Sequence, residues 1–366
     1  MIEVLFDHQK FSNQKYGGIS KYFSYIMDAL KLSNDIRYKL GILNSENNYI
    51  DENSLLFRNP LIKKILHSSY GNRNYRLNEA YSSFLIKSGK FDILHPTYYD
   101  PYFLKFLKKP FVLTVHDMTH EKLPEYFWPK DSLTHDKRIC VQKANHLIAI
   151  SETTKQDMIE LYGLKPESIQ VIHHGIDLQS PFLLKDVNNL PANYILFVGD
   201  RGGYKNFYML VDAFHYIHKK YPELQLFLVG GGPLTIAEVE YLSRLSLNER
   251  IVHRHVDDEE LNCVYSKAVA FIYPSLYEGF GLPVLESFRA KCPTLLSNIP
   301  SFKEVAGDAA FYFEVDQVDS LIFMLEKILD DEIYRGSLVD KGFSRLKLFD
   351  LQYSLQQTCD VYRSQI

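Results

Sequence analysis

The sequence predicts an α/β protein built from two doubly wound domains that face each other across a cleft. Its 366 residues exceed what a single hydrophobic core usually organises. Short apolar runs alternate with amphipathic stretches along the chain, which is typical of buried parallel strands joined by helices. The segment from Asp177 to Asn193 contains two prolines and several asparagines and predicts a linker. We therefore expect one domain over residues 1–180 and a second over residues 181–349.

Short apolar runs predict the strands, because each ends near Gly, Pro, His, Asp or Ser. In the first half they are Ile2–Phe6, Tyr38–Leu43, Ile93–His95, Phe111–His116, Leu147–Ile150 and Ile169–Ile172. In the second half they are Tyr194–Val198, Leu224–Val229, Ile251–His253, Ala270–Tyr273, Thr294–Ser297 and Ala310–Phe313. Ligands of such sheets bind outside the carboxyl ends of the strands, so functional residues are expected just after these runs.

The composition of the chain limits the kinds of molecule that are expected to bind it. Hydrophobic residues make up 46% and charged residues 23% of the chain, the profile of a folded globular protein. The net charge of -4 is uneven, since residues 1–180 carry 23 basic and 20 acidic side chains and the remainder carry 18 and 25. The N-terminal half is therefore the half expected to meet an anionic surface. No domain is strongly basic, so nucleic acid is not an expected partner.

The cysteines and the N-terminus predict a cytoplasmic protein. Cys140, Cys263, Cys292 and Cys359 are far apart and lack metal-ligand spacing, which predicts free thiols in a reducing compartment. The first residues show no basic region followed by an apolar stretch, as a signal peptide would. No run approaches the roughly 18 apolar residues of a membrane span.

The most informative segment is Glu278-Gly-Phe-Gly-Leu-Pro-Val-Leu-Glu286. Pro283 suits a first helical turn, which puts Glu286 inside a helix and Glu278 on the loop before it. Gly279 and Gly281 leave backbone that a ligand can approach closely. Free N–H groups at a helix N-terminus suit phosphate, and carboxylates accept strong hydrogen bonds from sugar hydroxyls. The segment predicts a sugar-nucleotide site, the alternative being an ordinary loop and helix with two solvated glutamates.

Two further segments follow predicted strands in the first half. Tyr16-Gly17-Gly18-Ile19-Ser20 opens a helix after the first strand, and it predicts either a backbone cradle for phosphate or acceptor or a tight turn that requires glycine. His116 and Asp117 follow the strand Phe111–His116, a position suited to ligand contact, although a lone histidine is usually structural.

The loop after Tyr194–Val198 carries two cations on a glycine-rich turn. Its sequence is Gly199-Asp-Arg201-Gly-Gly-Tyr-Lys205-Asn206, which is not a P-loop. Arg binds diphosphate oxygens in bidentate fashion and Lys adds a point charge; solvated surface cations are the alternative.

Gly230-Gly-Gly-Pro233 predicts only a permissive turn. The sequence contains no Asp-x-Asp motif and no His/Cys pair with ligand spacing, so no metal is expected.

Together these segments resemble the large retaining GT-B glycosyltransferase family, which includes bacterial mannosyltransferases of O-antigen, capsule and glycolipid synthesis. The resemblance covers nearly the whole chain. Its motifs are Tyr16–Ser20, Val115–Asp117, His174–Asp177, Arg201 with Lys205-Asn206, Tyr273–Ser275 running into Glu278–Glu286, and Ser297-Asn298 followed by Glu304–Ala309. The common Gly-Arg of the family is here Gly199-Asp200-Arg201. The resemblance implies GT-B architecture with two Rossmann-like domains, the first completed by a C-terminal helix over residues 350–366.

The resemblance also implies residue roles. Arg201 and Lys205 would hold the donor diphosphate, Glu278 the donor sugar and Glu286 the ribose, with His116 near the transferred sugar. The remaining donor-binding residues would be Gly17, Gly18, Asp117, Val256, Tyr265, Gly279, Phe280, Gly281 and Leu282. Without a metal or other cofactor, the two cations and nearby N–H groups would stabilise the leaving diphosphate. The family retains anomeric configuration, commonly described as same-face attack, so Glu278 need not be a nucleophile.

The implied function is transfer of a hexose from a nucleotide-sugar donor to a saccharide or lipid-linked saccharide acceptor. GDP-mannose is the expected donor, with UDP- or dTDP-hexoses as alternatives. A phosphorylase or epimerase on the same fold is a second hypothesis, although phosphorylases usually need a pyridoxal lysine and a longer chain. A catalytically silent sugar-nucleotide-binding module is a third, and the presence of Arg201, Lys205, Glu278 and Glu286 argues against it.

One segment raises the question of peripheral membrane contact. In Arg58–His67, Leu61, Ile62, Ile65 and Leu66 share one helical face, and lysines border it. Packing of a plain surface helix is one interpretation. The other is docking on anionic lipid at the inner face of the membrane, which would suit a lipid-linked acceptor.

Overall fold

The computed structural model describes residues 1–51 and 72–366, which form two compact units. Unit 1 comprises residues 1–121, 127–174 and 351–366, and unit 2 comprises residues 122–126 and 175–350. The segment Arg58–His67 lies outside the described residues, so the membrane-docking hypothesis stays a prediction. Within the described ranges, no helix has both the length and the apolar composition needed to cross a bilayer.

Unit 1 is built on short parallel strands. They are β1 (Ile2–Phe6), β2 (Ile36–Leu40), β3 (Ile93–His95), β4 (Val112–Val115), β5 (His146–Ala149) and β6 (Ile169–Val171). One sheet has the order β2-β1-β3 and another the order β4-β5-β6, and a parallel bridge between Leu94 and Phe111 connects them. The helices are α1 (Gln9–Asn13), α2 (Gly18–Lys31), α3 (Asn72–Ser88), α4 (Thr119–Lys122), α5 (Leu133–Lys143) and α6 (Glu152–Tyr162). Helix α4 ends one residue inside unit 2.

Unit 2 is one six-stranded parallel sheet with helices between its strands. The strands are β7 (Tyr194–Val198), β8 (Gln225–Val229), β9 (Ile251–Arg254), β10 (Ala270–Tyr273), β11 (Thr294–Ser297) and β12 (Phe311–Phe313), in the order β12-β11-β10-β7-β8-β9. The helices are α7 (Phe207–Lys220), α8 (Ile236–Arg244), α9 (Asp258–Lys267), α10 (Leu282–Arg289), α11 (Pro300–Ala306), α12 (Val318–Asp330) and α13 (Glu332–Arg345). The strand order reverses between β7 and β10, which is where sheets of this kind bind ligands.

A last helix, α14 (Leu351–Ser364), returns to unit 1. It buries Leu355 and Tyr362 in the core that β1 and β3 form. The Tyr362 hydroxyl lies 2.7 Å from Nδ1 of His95, and the Arg363 guanidinium donates to both oxygens of Asp35 at 2.8 and 3.1 Å. Apolar burial therefore holds this helix, and polar contacts fix its register.

The predicted α/β class is confirmed, and the strand predictions fail only at their ends. Five strands have the predicted bounds, and the others differ at one or both ends by one to three residues. The largest error is β2, predicted as Tyr38–Leu43 and observed as Ile36–Leu40. Its register explains the error, because Ile36 pairs with Ile2 and Leu40 with Phe6, so the ladder ends where β1 ends. The amide of Gly41 still donates to the Phe6 carbonyl at 2.8 Å, but the chain then leaves the sheet.

Candidate functional site

The site of unit 2 forms where the loops after β7 and β10 meet. A short 3₁₀ turn, Gly203–Lys205, follows β7, and the Leu276 amide donates to the Tyr204 carbonyl at 2.8 Å, which ties the two loops together. The loop after β10 carries Ser275 and Glu278 and leads into α10. Because β7 and β10 are neighbours at the reversal of strand order, their loops open into the same crevice.

Lys205 and Glu278 form a largely buried ion pair across these loops. The Lys205 ammonium lies 2.5 Å from Oε1 of Glu278 and donates to the Tyr273 hydroxyl at 3.3 Å. The Ser275 hydroxyl donates to the same carboxylate oxygen at 2.6 Å. Burial lowers the pKa of Lys205, but the charge and hydrogen bond of Glu278, together with Tyr273 and Tyr204, outweigh it and leave that pKa well above its usual range. Lys205 is therefore a permanent cation held in place by a carboxylate.

Helix α10 begins a few residues after Glu278. Gly281 is its N-cap with φ of 106°, and a Cβ there would lie 2.9 Å from the Phe302 ring. Only glycine suits that combination of left-handed backbone and close packing. Pro283 lies in the first turn, as predicted. The N-terminus of α10, with the Leu282 amide in its first turn, thus lies just after Glu278, where the positive end of the helix dipole suits an anion.

Glu286 lies inside α10, as predicted, and contacts Tyr265 of α9. The Tyr265 hydroxyl donates to Oε2 of Glu286 at 3.4 Å. Burial and the charge of Glu286 both raise the pKa of Tyr265, so the phenol stays protonated and remains a donor. Val256 lies on the connection between β9 and α9, one residue before the helix cap Asp257. The predicted ribose residue Glu286 and the predicted donor-binding residues Tyr265 and Val256 thus belong to adjoining elements.

Arg201 lies on the same loop as Lys205, but its side chain contacts a different part of unit 2. Its guanidinium donates to the carbonyls of Gly230, Gly231, Gly232 and Pro233 at 2.8 to 3.2 Å. It also donates to Glu238 through Nε at 2.8 Å. The side chain is 6% exposed, and none of its hydrogen bonds reaches Lys205 or Glu278. Its predicted role as a diphosphate ligand stays a prediction.

The predicted turn at Gly230–Pro233 is confirmed, and Arg201 explains how it is held. Gly230, Gly231 and Gly232 all have positive φ, between 68° and 89°, so their carbonyls converge on one guanidinium. Glu238 completes the arrangement, because it also forms a capping box with Thr235 at the start of α8. Burial raises the pKa of Glu238, but the hydrogen bonds from Arg201 and Thr235 outweigh it and hold that pKa below its usual range.

In unit 1, His116 is fully packed among rings. It stacks on His174 with 5.8 Å between centroids and meets Tyr22 edge-on at 5.4 Å. Within the described residues neither ring nitrogen has a hydrogen-bond partner. Burial, with a smaller contribution from His174, lowers the pKa of His116 well below its usual value. The ring is therefore neutral, and its backbone amide is fixed by the Tyr99 hydroxyl at 2.9 Å.

The neighbouring predicted residues have structural partners. Burial raises the pKa of Asp117, but the Lys137 charge and the Thr119 amide outweigh it and lower that pKa. Gly17 caps α2, and Gly18 is the first residue of that helix, as the motif predicted. A Cβ at Gly17 would lie 2.7 Å from the amide end of the Gln14 side chain, which can rotate away, so packing alone does not require glycine at this position.

Sequence reasoning missed three contributors to these sites. Ser275 and Tyr273 contact the Lys205–Glu278 pair, and the signal for them was their place directly before the Glu278 segment. Lys10 is buried in unit 1, with its ammonium 3.4 Å above the centre of the Tyr98 ring, and burial lowers its pKa to about 8. No sequence pattern marked Lys10, because its burial depends on the loop after β3.

The two units, with a doubly wound parallel sheet in unit 2, agree with the predicted GT-B architecture. The fold agrees with the structure of Anabaena Alr3699/HepE in complex with UDP and glucose, which matches with a TM-score of 0.73 and 15% identity over 100% of both chains. Residues 184–345 match the model of glycosyl transferases group 1, and residues 47–180 match that of Glycosyltransferase Family 4. The two matches together assign most of the chain to glycosyltransferase families, with the group 1 match confined to residues 184–345.

Two curated relatives are O-antigen enzymes. The chain is 29% identical over 226 residues to O-antigen chain mannosyltransferase RfbU of Salmonella typhimurium, covering 61% of this chain and 62% of that protein. It is 26% identical over 271 residues to O-antigen chain mannosyltransferase B of Escherichia coli, covering 69% of this chain and 70% of that protein. The first alignment thus spans under two thirds of the relative.

Proposed function

We propose that this protein is a retaining, metal-independent hexosyltransferase of bacterial surface polysaccharide synthesis. It moves mannose from GDP-mannose to a saccharide or lipid-linked saccharide acceptor, working in the cytoplasm or at the inner face of the membrane. The observation that carries the proposal is the buried Lys205–Glu278 pair beside the N-terminus of α10. The two O-antigen mannosyltransferases among its relatives support mannose as the sugar.

The chemistry of the pair fits a leaving nucleoside diphosphate. Breaking the glycosidic bond leaves negative charge on the diphosphate, and Lys205 with the α10 amides supplies preorganised positive charge there. Glu278 holds the ammonium before the donor arrives and offers its other oxygen to sugar hydroxyls. Tyr265 orients Glu286, whose carboxylate suits the paired hydroxyls of a ribose.

The direct test is release of nucleoside diphosphate from a donor panel of GDP-mannose, UDP-glucose and dTDP-glucose. Release from GDP-mannose alone supports the proposal. Release from none of them, with binding intact by thermal shift, would favour a silent binding module. A UDP-hexose is the second candidate donor, because the HepE structure contains UDP and glucose. The anomeric configuration of the product, measured by proton NMR, tests retention.

Metal independence has its own test. The proposal assigns to Lys205 and the α10 amides the charge that a divalent cation would otherwise provide. Among the described residues there is no group of three or more His, Cys, Asp and Glu side chains that could hold a metal. Turnover should be unchanged in EDTA. Loss of turnover in EDTA and its recovery with Mn²⁺ or Mg²⁺ would overturn this part of the proposal.

A further inference from the structure

A second concave site in unit 2 lies at the opposite end of α10 from Glu278. It is a pocket of about 450 Å³, a volume in the range of small-molecule sites. Arg289, the last residue of α10, lies in its wall. At 1.5 Å of rise per residue, Arg289 is about 10 Å along the helix from Leu282. The pocket is thus separate from the Lys205–Glu278 pair.

The floor and walls of this pocket are largely apolar. Leu178 and Phe182 come from the linker, and Phe343 and Leu346 come from the end of α13 and the turn after it. Phe343 is 47% exposed, an unusual position for a phenylalanine that packing alone would bury. Helix α13 cannot pack closer to α10 and bury this ring. The two helices are already in tight contact at Gly342, where an added Cβ would lie 2.6 Å from Phe288 of α10.

Three cations surround this apolar surface, and none of the residues that line the pocket is acidic. Arg289 is fixed, since it donates to the Ser180 carbonyl at 2.6 Å and lies over the Phe182 ring at 5.3 Å. The Lys291 ammonium lies 5.1 Å from the centre of the Phe343 ring. The ammonium groups of Lys291 and Lys347 form no hydrogen bond or ion pair with any described residue, although the Lys291 backbone amide donates to the Phe288 carbonyl at 3.1 Å. Two ammonium groups therefore remain available beside exposed aromatic and aliphatic surface.

Stabilisation of the α10 C-terminus does not account for all of this arrangement. Cations near a helix C-terminus interact favourably with the helix dipole, and this interaction explains the positions of Arg289 and Lys291. Lys347 lies on the opposite wall of the pocket, on the turn after α13, so the dipole of α10 does not explain its position. Nor does the dipole explain the partly exposed ring of Phe343 beneath Lys291.

We propose that this pocket binds an anionic phospholipid, with its phosphate between Lys291 and Lys347 and the start of an acyl chain over Phe182 and Phe343. Charge complementarity favours the phosphate, and the apolar floor favours an attached chain over a free anion. The site would hold unit 2 at an anionic bilayer. The inference does not depend on the proposed transferase activity, since the pocket shares no residue with the donor site.

The test uses the full-length protein and sedimentation with vesicles of equal parts phosphatidylglycerol and phosphatidylcholine. Each cation near an anionic surface strengthens binding about fivefold, so Lys291→Gln/Lys347→Gln should weaken partitioning roughly 25-fold. The control Lys219→Gln/Arg244→Gln removes the same charge from two cations that also lie over aromatic rings in unit 2 and should change partitioning little. Equal loss in both double variants would indicate general electrostatics and overturn the proposal.

A second measurement separates a lipid from a free anion. Soluble dioctanoyl phosphatidylglycerol should raise the melting temperature of the wild type, and Phe343→Ser should abolish the shift while Phe323→Ser, at an exposed ring of α12 outside the pocket, should keep it. Inorganic phosphate should give no comparable shift. A shift from inorganic phosphate equal to that from the lipid, or a lipid shift that survives Phe343→Ser, would refute the site.

Discussion

Replacement of Lys205 by methionine tests the centre of the donor site. The substitution keeps the length of the side chain but removes the ammonium that lies 2.5 Å from Glu278. We expect two separate losses. Glu278 is left as a buried carboxylate without its cation, which destabilises the fold, and the leaving diphosphate loses a preorganised positive charge, which slows the reaction.

The burial of the pair sets the size of both losses. The side chains of Lys205 and Glu278 are 12% and 14% exposed, and removing one partner of a buried pair typically costs about 3–5 kcal/mol. Because Ser275 still donates to Glu278 at 2.6 Å, we expect the lower end, about 3 kcal/mol of unfolding free energy. A loss of about 3 kcal/mol in transition-state stabilisation corresponds to a roughly 150-fold lower kcat/KM.

Urea unfolding followed by circular dichroism and nucleoside-diphosphate release measure the two losses separately. The double variant Lys205→Met/Glu278→Gln removes both charges and should recover most of the stability while remaining slow. Lys219→Met, at an exposed lysine of the same unit, should change stability by less than about 0.5 kcal/mol. A Lys205→Met variant with the kcat/KM of the wild type would show that the diphosphate is not bound here.

Three further outcomes follow from the geometry. Arg201→Ala should destabilise unit 2 by about 3 kcal/mol, because it leaves Glu238 buried without its cation, and should lower kcat/KM by roughly two orders of magnitude if Arg201 also holds the diphosphate. Arg201→Lys, which cannot reach all the carbonyls, should rescue neither fully. Wild-type kinetics for Arg201→Ala would contradict the diphosphate role, and wild-type stability would contradict the structural one. Glu286→Ala should chiefly raise the donor KM, because a ribose contact is made equally in the ground and transition states; an equal fall in kcat would count against a ribose role. Burial lowers the pKa of His95 and of His174 from 6.5 to about 3, so between those values the unfolded chain binds protons that the folded chain excludes. Stability should therefore fall as pH decreases below 6.5, by up to about 1.4 kcal/mol per pH unit for each ring, and urea midpoints that are equal at pH 7 and pH 5 would refute the buried neutral state.

Much of the fold could be predicted because its signals are local. The strand Tyr194–Val198 was located by its unbroken apolar run, and the start of α10 by Gly281 followed by Pro283. Each signal depends on the conformational preferences of a few adjacent residues. Those preferences are the same whatever the segment packs against in the fold. The site residues after β7 and β10 followed from one rule of parallel sheets, that ligands bind at the carboxyl ends of strands.

The partner of each charged side chain depended on the tertiary structure. Arg201 and Lys205 are four positions apart on one glycine-rich loop, and the same diphosphate-binding role was predicted for both. In the fold, the Arg201 side chain meets the carbonyls of Gly230–Pro233 and the carboxylate of Glu238, whereas Lys205 meets Glu278. Local propensity carries no information on which distant acceptors lie within hydrogen-bond reach, because that depends on the packing of β8 and β10 on either side of β7. The sequence by itself determined that two cations lie at this edge of the sheet. Which acceptor each cation contacts was determined only by the packing of the strands.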